Sequence, residues 1–267
     1  MKNDFPLALN IKNLDHLSLR ISTPHGELKH IIENKVNQVS SFEKAKPNST
    51  KIRKLYNPLP RYKSILRKIN KSLLAGDFAP GVFGGVSGKQ VEDVAKSHCG
   101  KEAIFSIDLR NFFPNIRSGQ VFSLFKRAGC SPEVCCVLTD LVTFDGCLPQ
   151  GFPTSTAIAN WVAFDLDIQH LAYCKKQGLS RTRWVDDMTF SGRYNTLQAS
   201  IPSLIGAIKF HGLTINNRKT QFLPREHCCK VVGFNVSAVT SFSLPWSQSP
   251  FVPLTFRLRL GTTPQIP

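Results

Sequence analysis

Arg181-Thr-Arg-Trp-Val-Asp-Asp-Met-Thr-Phe-Ser191 sets two short apolar pieces on either side of a carboxylate pair. Arg181 to Val185 and Met188 to Ser191 have the length and the β-branched and aromatic content of strands. The aspartates between them favour a tight turn, so the stretch predicts a hairpin with Asp186 and Asp187 at its tip. Taken alone, an Asp-Asp turn is ordinary turn chemistry. A second acid gives it weight: Ala103-Ile-Phe-Ser-Ile-Asp-Leu109 reads as a buried strand carrying one carboxylate, Asp108, near its end. A buried acid requires a partner or a cation. Carboxylates on neighbouring strands suit hard, oxygen-seeking divalent ions, and phosphoryl transfer from a nucleoside triphosphate uses two such ions about 4 Å apart.

Outward from this pair the pattern is mixed, without an alternating strand-helix-strand series. Between the two acidic strands, Ser118 is placed to cap a helix with Val121, Leu124 and Phe125 inward, and Ser131-Pro132-Glu133 opens another. The longest helical pattern runs from about Ser155 to Lys176 and ends at Gly178. Beyond the hairpin come a helix from Leu197 to Phe210 and strands at Leu213 to Ile215, Thr220 to Leu223 and Lys230 to Val236. Upstream, the first 45 residues read as a helical lead-in with Leu14, Leu17, Leu19, Ile31, Ile32 and Val36 as packing positions. A turn-rich Lys46-Pro-Asn-Ser-Thr, a short strand at Ile52 to Tyr56 and a basic helix follow. Glycines 81, 84, 85 and 88 mark a loop.

Lysine and arginine number 34 against 18 acids, a formal charge of +16, which favours a polyanionic partner such as nucleic acid. Ten of those cations fall between Lys44 and Lys71 with no acid among them. Tyr62, Ile65, Leu66, Ile69 and Leu73 recur there at helical spacing, so the charges line one face of an anchored helix. Cys99, Cys130, Cys135, Cys136, Cys147, Cys174, Cys228 and Cys229 include no CxxC pair and no zinc-like spacing, and read as reduced thiols. No basic-flanked leader and no run of about 18 apolar residues occurs, so the expectation is a cytoplasmic protein without a membrane partner.

Five stretches in series resemble the palm motifs of reverse transcriptases: Ser106-Ile-Asp-Leu-Arg-Asn-Phe-Phe-Pro114, Leu148-Pro-Gln-Gly-Phe-Pro-Thr-Ser155, Arg183-Trp-Val-Asp-Asp-Met-Thr-Phe-Ser191, Gly212-Leu-Thr-Ile-Asn-Asn-Arg-Lys-Thr220 and Val231-Val-Gly-Phe-Asn-Val236. Lys51-Ile-Arg-Lys-Leu-Tyr-Asn-Pro58 and Arg61-Tyr-Lys63 are similar to fingers motifs. Ser87-Gly-Lys-Gln, Ala95-Lys-Ser-His98 and Gly100-Lys101 resemble the segment that bacterial retron enzymes carry before the first catalytic aspartate. The resemblance implies an α+β polymerase right hand, with an antiparallel palm sheet backed by helices. Its divisions would be a lead-in over residues 1–45, fingers over 46–102 and a palm over 103–236, with fingers helices inserted at about 118–145. Residues 237–267 hold five prolines and no helical period, so a thumb is expected to be absent or truncated, by truncation or frameshift, or supplied by a partner.

Residue by residue, the resemblance implies that Asp108, Asp186 and Asp187 hold two Mg2+ ions, with Mn2+ able to substitute, and that the carbonyl of Ile107 or Leu109 completes a site. Lys219 would protonate the leaving pyrophosphate. Phe113 would be the steric gate that prefers deoxynucleotides, with one of Phe112 and Phe113 left to the core. Gln150 and Gly151 would lie against the incoming nucleotide, and Arg53 and Lys63 against its triphosphate. Trp184 stands where tyrosine is usual and would meet the primer terminus, as would Gly233 in the primer-grip hairpin. His98 would touch RNA. Val94 and Val232 replace an expected asparagine and threonine. The implied activity is RNA-directed DNA synthesis on a structured non-coding RNA in antiviral defence. The implied partners are that RNA, its DNA product and deoxynucleoside triphosphates, with an effector protein as an optional addition. The alternatives are another defence-associated or group II intron-related reverse transcriptase, or a catalytically weak RNA-binding module with the polymerase fold.

Overall fold

The computed structural model describes residues 5–45, 52–224, 230–232 and 234–236. Its first segment is extended: Phe5, Leu7, Leu9 and Ile11 alternate into the core with the period of a strand, and Leu9 N and Asn10 N both donate to the Ala128 carbonyl. Two short helices follow, α1 (Leu14–Arg20), capped by the Asn13 side chain, and α2 (His25–Glu33). Leu17 and Ile31 are buried, and Leu14 and Ile32 pack against the core. Leu19 and Val36, expected to pack, are instead each 78 % exposed. Leu19 lies two residues from buried Leu17, a spacing that turns it to the opposite side of a helix.

Residues 39–45 are not helical. They form β1 (Val39–Ala45), antiparallel to β2 (Ile52–Pro58), with Phe42 opposite Leu55 and Lys44 opposite Arg53. The boundary expected between residues 45 and 46 therefore falls inside a hairpin, whose connecting turn at Lys46 to Lys51 lies outside the described residues. β1 is almost wholly exposed, so no apolar alternation marks it, and backbone pairing alone defines it. Helix α3 (Pro60–Ile69) buries Tyr62, Ile65, Leu66 and Ile69, as the spacing predicts. Its basic face is partly engaged: Arg61 pairs with Glu27 at 2.7 Å, and Lys68 Nζ donates to the Ser22 carbonyl at 2.8 Å.

Helix α4 (Val91–Lys96) leads to β3 (Ala103–Asp108), then α5 (Phe112–Asn115), α6 (Ser118–Arg127) and α7 (Pro132–Val142). Arg117, not Ser118, caps α6, and its N–H is bound by Gln120 Oε1 at 3.0 Å. The long helix expected over 155–176 is two, α8 (Ser155–Val162) and α9 (Phe164–Gln177), broken at Ala163 and ended by Gly178 in the left-handed conformation. Next come β4 (Ser180–Trp184), β5 (Asp187–Gly192), α10 (Tyr194–Phe210), β6 (Gln221–Pro224) and a minimal hairpin of β7 (Lys230–Val231) and β8 (Phe234–Asn235). The strand expected at Leu213 to Ile215 reduces to one bridge between Leu109 and Ile215.

The central sheet has the order β4-β5-β3-β6, with every pair antiparallel. β3 sits inside it and is buried along nearly its whole length, and α9 and α10 pack on the sheet. The fold is thus mixed helix and antiparallel sheet. A smaller apolar cluster of Val94, Ala95, Ile104, Val231 and Val236 joins α4 to the β7-β8 hairpin, with Val232 packed beside it. The two valines that replace polar residues of the retron pattern meet in that one cluster. Among the described residues no helix is long and apolar enough to cross a membrane.

Candidate active site

Antiparallel pairing of β3 with β5 sets Asp108 directly opposite Asp187. Leu109 N donates to the Asp186 carbonyl at 2.9 Å, which draws the tip of the β4-β5 turn against the end of β3. Three carboxylates thereby share one edge of the sheet. Asp108 is 8 % exposed, and both its oxygens are engaged: Asn216 Nδ2 donates to Oδ1 at 2.7 Å and Lys219 Nζ to Oδ2 at 2.6 Å. The Asn216 N–H also donates to the Asp108 carbonyl at 2.8 Å, so the segment after α10 is laced to this one residue.

Asp186 and Asp187 are half-buried. Burial, with the Asp108 charge adding to it, pushes the Asp186 carboxyl up. Burial and the charges of Asp186 and Asp108 raise Asp187 to about 6. Lys219 and Arg53 pull both in the opposite direction. Crowded acids of this kind favour a proton or a cation. The donor set is all oxygen, the Lys219 ammonium already stands in as a cation on Asp108, and these residues fit a divalent ion of the magnesium kind. Among the described residues no three His, Cys, Asp or Glu side chains are arranged to hold an ion as they stand.

The other expected site residues are placed in different ways. Arg53 is exposed on β2, and its charge reaches both Asp186 and Asp187. Phe113 lies at the rim of the core while Phe112 is buried, their rings 5.7 Å apart. One of the two is thus a core aromatic, although both sit on one helical turn and not on a strand. Gln150 and Gly151 meet β2: the Gln150 carbonyl accepts from Tyr56 N at 2.9 Å, and a Cβ on Gly151, whose φ is +116°, would stand 2.4 Å from the Tyr56 carbonyl oxygen. The close approach at this glycine is to a protein strand.

Lys63 is tied to Asn57 Oδ1 at 3.0 Å. Trp184 pairs with Asp187 at the neck of the turn and packs on the cluster beneath the β7-β8 hairpin. Gly233 lies outside the described residues. His98, expected at an RNA contact, is corrected outright. Its ring is 0 % exposed and bridges Ser191 Oγ at 2.6 Å and Thr182 Oγ1 at 2.7 Å on the central sheet. A side chain without accessible surface cannot touch RNA.

Missing from the sequence reading is what lies behind the turn. Arg183 and Arg181, both buried, converge on Asp167 of α9, and Arg183 also bonds Asn160 of α8. Two arginines at period two inside an apolar strand are a legible signal, since they share a face and require a buried acid. Residues 81–84 add a further strand-like edge: Arg183 N donates to the Gly81 carbonyl at 2.7 Å, and Phe83 N to the Arg183 carbonyl at 2.9 Å. The glycine loop is therefore a packed backbone.

The profile of the family described as "Reverse transcriptase (RNA-dependent DNA polymerase)" matches residues 42–236. The Retron Se72 reverse transcriptase of Salmonella heidelberg is 30% identical over 216 residues, 79% of this chain and 57% of that protein. The Retron Ec86 reverse transcriptase of Escherichia coli is 30% identical over 205 residues, 75% and 63% respectively. The Retron Mx65 reverse transcriptase of Myxococcus xanthus is 26% identical over 257 residues, 89% and 58%. The chain thus spans between 57% and 63% of the length of these relatives. The match covers the central sheet, its aspartates and the hairpin before it, and on that ground the chain belongs to the reverse transcriptase (RNA-dependent DNA polymerase) family, within which it is similar to retron enzymes.

Proposed function

We propose that the protein is an RNA-directed DNA polymerase of the retron type, copying a structured non-coding RNA into DNA in antiviral defence. The observation that carries this reading is the gathering of Asp108, Asp186 and Asp187 at one sheet edge, with Lys219 bonded to Asp108 and the Arg53 charge reaching the pair. Two Mg2+ ions, or Mn2+ in their place, would lower the pKa of the primer hydroxyl and neutralise the leaving pyrophosphate. Asp108 and Asp186 are the principal ligands and Asp187 stands beside them. Lys219, once it leaves Asp108, is placed to give a proton to the pyrophosphate. Arg53 neutralises the triphosphate, and Lys63 joins it only by releasing Asn57. Phe113 excludes a ribose 2′-hydroxyl, Gln150 lies along the nucleotide, and Trp184 with the hairpin around Gly233 seats the primer end.

In this reading the fingers begin at β1 and run to residue 102. The palm is 103–236, with helices of about 118–145 lent to the fingers, while residues 237–267 lie outside the described residues. The free thiols at Cys99, Cys130, Cys135, Cys136, Cys147 and Cys174 accord with work in the reducing cytoplasm. The test is extension of a primed RNA template with labelled dTTP and Mg2+ by the purified full chain. Extension by the parent and none by the Asp186→Ala, Asp187→Ala double variant is expected. Equal product from both would refute polymerase activity and leave an RNA-binding module. A structured RNA encoded immediately upstream of the gene distinguishes a retron from an intron-related enzyme.

A further inference from the structure

Behind the carboxylate turn lies a buried polar cluster to which the polymerase reading gives no task. Arg183 is 0 % exposed. Its Nε donates to Asp167 Oδ1 at 2.9 Å and its Nη2 to Oδ2 at 2.5 Å. Nη1 divides between Asn160 Oδ1 and the Val185 carbonyl, both at 2.9 Å. Arg181 bonds the same Asp167, and Asn160 Nδ2 donates to the Gly84 carbonyl at 3.0 Å. Burial raises the Asp167 carboxyl, but the two guanidiniums outweigh it and hold the group below its ordinary value. Burial of ions is costly before pairing, and a well-packed apolar group often serves stability as well. The cluster therefore calls for a geometric reason.

That reason is at Val185, the residue before the aspartates. Its φ is +57°, a left-handed conformation that strains an L-residue and that β-branched side chains rarely adopt. Arg183 Nη1 grips the carbonyl of this strained residue. From the other side Gly84 presses so closely that a Cβ there would stand 2.4 Å from Val185 N. The guanidinium also lies 6.0 Å from the centroid of the Phe112 ring, next to Phe113. One side chain thus bonds the turn and two helices and stands over the Phe112 ring.

We propose that Arg183, clamped by Asp167 and Asn160, is a positioning residue: it holds Val185 in the left-handed conformation and so fixes where Asp186 and Asp187 present their carboxylates. The effect on turnover rests on the polymerase reading; the effect on metal binding does not. Lysine at 183 keeps the charge but lacks the planar fork, so it reaches Asp167 or the Val185 carbonyl and not both. Glycine at 185 takes the left-handed backbone without strain and makes the grip dispensable.

The experiment compares the full-length parent with Arg183→Lys, with Arg183→Lys combined with Val185→Gly, and with Asn160→Ala. Free Mn2+ is read by electron paramagnetic resonance, primer extension gives kcat and the KM for dTTP, and circular dichroism checks the fold. Arg183→Lys is expected to weaken Mn2+ binding and lower kcat by about 10- to 100-fold, the range seen for groups that orient metal ligands, with the dTTP KM little changed. Adding Val185→Gly is expected to recover Mn2+ affinity. A folded Arg183→Lys with the parent's Mn2+ affinity and kcat overturns the proposal, as does a double variant that recovers nothing. Should Arg183→Lys fail to fold, Asn160→Ala decides in the same way, with a weaker Mn2+ affinity expected and an unchanged one overturning it. A parent that binds Mn2+ without extending primers refutes the polymerase and leaves the Mn2+ comparison to judge Arg183. A parent that binds no Mn2+ overturns both.

Discussion

Lys219 and Asp108 form the closest ion pair at the sheet edge, and the pairing sets two demands against each other. The ammonium, 54% exposed, neutralises an acid that is nearly buried, so it stabilises Asp108 when no metal is present. The same contact competes with any divalent ion for Oδ2. Lys219→Met separates these roles. Without the ammonium, Asn216 is the remaining side-chain partner of Asp108 among the described residues, so Mn2+ should bind the nucleotide-free variant more tightly than it binds the parent. If Lys219 is the general acid of the proposed polymerase, primer extension should fall by about 10²-fold or more. A variant that binds Mn2+ more weakly would show that Lys219 supports the metal site and does not compete with it. Asp108 was legible because a buried acid in an apolar strand needs a partner, and the Asp-Asp turn, ordinary by itself, gained weight from Asp108 and from the series of motifs around it. The engagement of Asp108 by Asn216 and Lys219 depends on how the segment after α10 returns to β3, which no local pattern encodes.

Elements were legible in proportion to how much they bury. β3 announces itself because its burial is nearly continuous, whereas β1, exposed beyond Val39, carries no apolar alternation to mark it. The α8-α9 break was hidden because apolar residues on both sides of Ala163 keep a helical period through a change of axis. The loop Leu148 to Pro153 shows how elements constrain one another. Gly151 is where the β2 backbone crosses, and its positive φ and its contact with the Tyr56 carbonyl each exclude a side chain. Gly151→Ala should therefore lower stability by about 1–3 kcal/mol, read as a shifted urea midpoint. It should also loosen the Tyr56 N to Gln150 O bond that docks β2, and with it Arg53. An unchanged midpoint would mean that β2 yields freely and that the glycine serves only the nucleotide.

At the scale of the whole molecule, the feature least visible in the sequence is how many charged and titratable groups the interior holds. Arg181, Arg183, Asp167, His98 and His170 are all buried, although such residues are ordinarily read as surface. The histidines make stability depend on pH in a defined direction. Burial, with the Lys101 charge adding to it, lowers His98 from 6.5 to about 3. Burial and the Arg181 charge lower His170 to about 4, its ring held against the Leu204 carbonyl and the edge of Phe190. A base with a depressed native pKa stays neutral where the unfolded chain takes up a proton. Its contribution to stability is complete above about 6.5 and is lost as pH falls toward the native values. Asp186 and Asp187, both raised and the latter to about 6, act in the opposite sense as pH falls toward the carboxylate range, Asp187 over a smaller shift than that of His98 alone. At about 1.4 kcal/mol per pKa unit, the histidines should dominate by a few kcal/mol. Urea midpoints are therefore expected to fall between pH 7 and pH 4.5. Glutamine at 98 can still bond Ser191 and Thr182 but does not titrate, so the gap between His98→Gln and the parent should narrow steadily as pH falls. Parallel curves for the two proteins would mean that His98 takes up its proton over the same pH range folded as unfolded, with Ser191 and Thr182 both then accepting from it.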